Sequence, residues 1–218
     1  MYQDFPRNIL IFGPQALAFN QGLFHEIQAS ITDSSQLDWV HEVVAELPGR
    51  FNYIKSEIPQ LRVLPGASLL GALGRQIKNG SLSCITEATN LPNIVLTPLC
   101  VISHLASFTK YLGANHNRSW EAWKHNNRNC SNETSIVGFC TGLLAALAVS
   151  LSDDLEDFEK YGATAIRLAM VIGAIVDAED VMNGSSGSCS ADWKTREGLS
   201  RMEKIVQETD GVSQRPQN

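Results

Sequence analysis

Two short apolar runs, each stopped by glycine and followed by helical patterning, constrain this chain more than any other feature. The first is Asn8-Ile9-Leu10-Ile11-Phe12, halted by Gly13-Pro14. The second is Ser135-Ile136-Val137-Gly138-Phe139, which passes within a few residues into the small-residue run Thr141–Ser150. Runs this short, rich in β-branched residues and bounded by turn formers, read as buried strands. Strands that alternate with helices must return in the same direction, which predicts an α/β fold: a parallel sheet flanked by helices.

Between and after the strands the spacing is helical. Ala16 to Ile31 repeats apolar residues on one face (Leu17, Phe19, Leu23, Phe24, Ile27, Ile31). Asp33-Ser34-Ser35 is placed to cap a second helix through Leu37, Val40, Val43, Val44 and Leu47, with Pro48-Gly49 expected to end it. Helical segments follow around 51–59 and 67–78, and Asn79-Gly80 closes the latter. Asn93 to Leu112 reads as a buried segment, helical after Pro98, while the polar stretch 114–133 reads as an irregular surface excursion. Leu155 to Ala178 is another long helix. Residues 183–188 are expected to be flexible, a last amphipathic helix runs from about Arg196 to Gln207, and 211–218 form a disordered tail. Residues 1–210 are thus read as one domain, without internal repeats.

Composition narrows the function classes. A net charge of -6 with scattered Lys and Arg gives no basic footprint for nucleic acid and no polybasic membrane contact. The N-terminus lacks a basic region followed by an apolar run, and uninterrupted apolar stretches stay under the roughly 20 residues of a membrane span. Five cysteines (Cys84, Cys100, Cys130, Cys140, Cys189) without a CxxC pair fit reduced cytosolic thiols, not a disulfide framework or a metal site.

Gly138-Phe139-Cys140-Thr141-Gly142 has the form of a nucleophile elbow, G-x-nucleophile-x-G, with Cys in the serine position. Glycines two residues either side of Cys140 leave room for a tight strand-to-helix turn. The start of the 141–150 helix offers unpaired N–H groups and a dipole that favour a thiolate. The Thr141 backbone N–H is then a candidate oxyanion donor. A tight glycine turn around a buried core cysteine would leave the same pattern.

Together these residues resemble the acyltransferase fold of malonyl-CoA:acyl-carrier-protein transacylases. The closest likeness is to its starter-unit branch, the starter-unit acyl-carrier-protein transacylase domain of fungal non-reducing polyketide synthases. The likeness rests on the Phe12-Gly13-Pro14-Gln15 loop, the Gly138–Ala146 run, Ala165-Ile166-Arg167-Leu168-Ala169, and Val176–Asp180 through Asp192-Trp193-Lys194, and it covers most of residues 7–209. It implies the large subdomain of that fold and a role in secondary-metabolite and mycotoxin biosynthesis. It also implies transfer of a starter acyl group, from CoA or a fatty-acid synthase carrier, through a cysteine acyl-enzyme to an acyl carrier protein. The acceptor is the carrier's phosphopantetheine thiol; no bound cofactor or metal, nucleic acid or membrane is implied. Cys140 would be the nucleophile, and the Gln15 and Thr141 N–H groups the oxyanion hole.

Two departures qualify the resemblance. Malonyl-loading relatives carry an Arg on the helix after the elbow that pairs with the substrate's free carboxylate; alignment through Ala165–Leu168 puts Ile172 there, which suits uncharged acyl groups. Arg167 falls off that direction and reads as a surface or structural residue. The family's catalytic His follows the nucleophile, after a small ferredoxin-like subdomain, whereas all five histidines here (His25, His41, His104, His116, His125) precede Cys140. The subdomain is therefore expected to be missing, in a fragment or a shortened product. Among these histidines His104 reads as a satisfied core residue, and Trp120 and Trp123 as packing residues. Two alternatives stay open: a catalytically incomplete remnant or docking fragment, and a cysteine α/β-hydrolase.

Overall fold

A parallel pair of strands, β1 (Asn8–Phe12) and β2 (Thr134–Gly138), is held in register from Asn8 against Thr134 to Phe12 against Gly138. The computed structural model describes residues 8–14, 21–32, 35–79, 91–116, 120–129 and 134–183. The chain divides into two compact units, 1–185 and 186–218, and every described residue lies in the first. The expected flexible linker beyond residue 183, the last helix and the tail lie outside the described residues. Within these limits the chain is mostly helical around a small parallel sheet, compatible with the α/β reading. The strands are less buried than expected: Leu10 and Phe12 turn inward while Ile9 and Ile11 stand exposed. The alternation is confined to β1, because every residue of β2 is partly buried.

Between the strands come α1 (Gln21–Thr32), a 3-10 turn at Ser35–Leu37, α2 (Trp39–Glu57), a second 3-10 turn at Pro59–Val63, and α3 (Gly66–Asn79). Then follow α4 (Asn93–His116) and α5 (Trp120–Asn129), and after β2 come α6 (Gly142–Leu151) and α7 (Leu155–Asn183). Pro48-Gly49 does not end α2, which continues for two more turns. Leu47 and Phe51, on either side of the proline, are both buried, and their packing outweighs the lost N–H. α2 itself starts at Trp39, where Asp38 makes no side-chain capping bond; Asp33 and Ser34 of the expected cap lie outside the described residues.

α4 is the central element. It packs on α7 most extensively, and on α1, α3, α5 and α6. It starts at Asn93, ahead of Pro98, because α7 supplies its cap. Asp177 accepts the Asn93 N–H at 2.8 Å, the Ile94 N–H at 2.8 Å and the Asn93 side-chain amide at 3.0 Å. The close crossing needs Gly173, where a Cβ would collide with the Asn93 carbonyl. By length and composition α4 and α7 could each cross a membrane, contrary to the expectation from uninterrupted apolar runs. Here most of the apolar stretch of α4, and over half that of α7, is buried inside the fold.

The supposed surface excursion also needs correcting. Residues 120–129 form α5, and Trp120 and Trp123 are buried against Phe108; Trp120 also meets Phe158. Two indoles at three-residue spacing lie on one helix face, enough to dock an otherwise polar helix.

Candidate active site

The turn from β2 to α6 puts Cys140 in the left-handed region at φ 54°, the one non-glycine residue with positive φ among the described residues. That conformation costs a side-chain-bearing residue about 1–2 kcal/mol, and surrounding contacts must hold it. They do so through a tight series of backbone bonds. Phe139 N–H reaches the Phe12 carbonyl at 2.9 Å, Gly142 N–H the Phe139 carbonyl at 3.0 Å, and Leu143 N–H the Cys140 carbonyl at 3.0 Å.

The two flanking glycines are required by space. A Cβ on Gly138 would lie 2.5 Å from Leu143 Cα and 2.7 Å from Ala146 Cβ, in the first turns of α6. One on Gly142 would strike the carbonyl oxygens of Phe12 and Gly13 at the end of β1. The first residue of α6 therefore rests directly on the strand end that leads into the Gly13-Pro14 loop.

The Cys140 thiol is exposed and free. Thr141, the residue before α6, has helical backbone angles (φ -60°, ψ -27°), and its N–H has no acceptor among the described residues. Gln15 lies outside the described residues. Ile172 stands exposed on α7, one turn from Leu168 and within a turn of Ile175 and Val176, which are exposed too.

Two neighbours were not legible as part of this site. Cys100 on α4 is buried, with its Sγ 3.6 Å from Thr141 Oγ1. Burial pushes its thiol up from the usual range; the Thr141 contact pulls it back somewhat, and the nearby Cys140 charge pushes it further up. One turn along α4, His104 meets the ring of Phe12 edge-on at 5.8 Å. Desolvation lowers its proton affinity, and its Nδ1 is buried without a partner among the described residues, so this histidine is not the satisfied core residue expected. The spacing of Cys100 and His104, four apart on a helix, was the one available signal that they share a face. No hydrogen bond joins any described histidine to Cys140. No group of three or more His, Cys, Asp or Glu side chains suited to a metal occurs among the described residues.

Comparison with known proteins decides the family. Residues 81–211 match the model of the family described as starter unit:ACP transacylase in aflatoxin biosynthesis. The chain belongs to this family. It is also 37% identical over 206 residues to the non-reducing polyketide synthase epaA of Aspergillus niger, covering 94% of this chain and 7% of that protein. It is 37% identical over 202 residues to the non-reducing polyketide synthase tazA of Aspergillus terreus, covering 92% and 8%. Against 3-methylorcinaldehyde synthase tropA of Talaromyces stipitatus it is 35% identical over 202 residues, covering 91% and 8%. The chain thus spans less than a tenth of the length of these relatives. The transacylase match takes in β2, the elbow, α6 and α7, together with α4 and α5.

Proposed function

We propose that this chain carries the nucleophilic part of a starter-unit transacylase, within the large subdomain of an acyltransferase fold. The observation that supports it best is the exposed Cys140 held at φ 54° on a strand-to-helix turn. The Cys140 thiolate attacks the carbonyl carbon of an acyl thioester, donated by CoA or by a fatty-acid synthase carrier. The oxyanion of the tetrahedral intermediate is held by the N–H groups of Thr141 and Gln15. The bond to the leaving thiolate breaks, that thiol takes up a proton, and the acyl group stays on Sγ. The phosphopantetheine thiol of an acyl carrier protein then gives up a proton, attacks the acyl-enzyme and releases Cys140. Ile172, where malonyl-loading relatives have Arg, favours acyl groups without a free carboxylate. Free thiols at Cys100 and Cys140 suit a reducing compartment, the cytosol.

A second reading, binding of the carrier protein without turnover, draws on the histidines. None of the described histidines is hydrogen-bonded to Cys140. A positioned general base is worth about 10² to 10⁴ in rate.

Incubation with equal hexanoyl-CoA and malonyl-CoA, followed by intact-mass analysis and peptide mapping, tests both readings. Transacylase function predicts a hexanoyl adduct on Cys140 that is absent from Cys140→Ala. An adduct that survives this substitution removes Cys140 as nucleophile, and preferential malonyl loading removes the role given to Ile172. Carrier-protein binding with no adduct would favour the second reading.

A further inference from the structure

α2 and α7 leave a cavity of about 480 Å³ between them, within the range of small-molecule sites. It shares no residue with the elbow. Its walls are mostly apolar, formed by Ile54, Leu168, Met170 and Val171, and two guanidinium groups, Arg50 and Arg167, line it as well. The space persists beside Gly49, where a Cβ would meet nothing within 4 Å.

The charges are unbalanced. Glu46 uses one oxygen, Oε2, for both arginines: Arg50 Nε at 2.9 Å and Arg167 Nη2 at 3.0 Å. Two guanidiniums against one carboxylate leave a local surplus of one positive charge, in a chain whose net charge is -6. Arg167 is also under-used. Among the described residues it holds Glu46 through Nη2 alone, and its Nε is buried without an acceptor. A guanidinium that gives the protein only one of its Nη groups can take a second carboxylate or similar anion on the other. The apolar walls cannot be satisfied by a bare anion, nor the arginines by a bare hydrocarbon.

We propose that this α2–α7 cavity binds a monoanionic amphiphile, with its carboxylate on Arg167 and Arg50 and its alkyl or aryl body against Ile54, Leu168, Met170 and Val171. The site is separate from acyl transfer at Cys140 and does not depend on it.

Calorimetric titration of the purified chain with octanoate tests this. One-to-one binding is expected, with 1-octanol (tail without charge) and inorganic phosphate (charge without tail) each at least tenfold weaker. Arg167→Gln should weaken octanoate at least tenfold. Gly49→Leu should do the same by filling the cavity; it enters open space and replaces a poor helix former, so the fold is kept. Alkylation of Cys140 at an unchanged rate verifies that fold in both variants. No octanoate binding at millimolar concentration, octanol binding as tightly as octanoate, or unchanged affinity in folded Gly49→Leu would each overturn the assignment.

Discussion

Cys140 and Cys100 both meet Thr141, one as its chain neighbour and the other through a 3.6 Å contact to its hydroxyl, yet their surroundings give them opposite reactivity. Cys140 is exposed on its turn; Cys100 is buried, and that burial holds it as a neutral thiol. Iodoacetamide near neutral pH should therefore modify Cys140 well before Cys100, which should react only once the protein is unfolded. Peptide mapping of partly alkylated protein checks this, and equal labelling of both in folded protein would contradict it. The position of Cys140 was legible because glycines two residues either side record a local steric demand. Cys100 was not, because its importance comes from a partner on another element, and no local pattern encodes that contact.

At the scale of elements, the strands and the helices α3 and α6 were read within a residue of their observed bounds, whereas α1, expected from Ala16, is described only from Gln21, and α7 runs past the expected Ala178 to Asn183. The errors fall where a distant contact overrides a local signal. Pro48-Gly49 looks like a stop, but Leu47 and Phe51 anchor both halves of α2 in the core. Pro98 looks like a start, but Asp177 lets α4 begin at Asn93. α5 was overlooked because eight of its ten residues are polar or small, and its two indoles carry the docking. Asp177→Ala removes three hydrogen bonds at one helix end and should cost about 2 kcal/mol, typical of losing a cap together with partly buried donors left unmatched. Urea unfolding of the variant measures the loss, and a midpoint unchanged from the parent would show that water replaces the carboxylate without penalty.

For the molecule as a whole, acid sensitivity follows from His104. Desolvation keeps its folded proton affinity below that of an unfolded histidine, near 6.5. The unfolded chain then binds more protons than the folded one once the pH drops below about 6.5, and stability is lost as pH falls through the folded value. Denaturant midpoints measured from pH 7.5 to 5.5 should fall more steeply for the parent than for His104→Leu. Parallel slopes would mean that His104 takes up its proton without resistance.

The pairing of β1 with β2 also bears on the order in which the molecule is assembled. Every helix from α1 to α5 lies between these strands in sequence, so on the ribosome β1 waits without its partner while the helical body takes shape. Closing so long a loop is slow, and it draws little reward until β2 is made. The seat of Gly142 on Phe12 and Gly13, and with it the strained turn at Cys140, can then form only near the end of folding. The thiol's turn is thus built together with the packing of α6 and α7, which follow it in sequence and complete the core against α4.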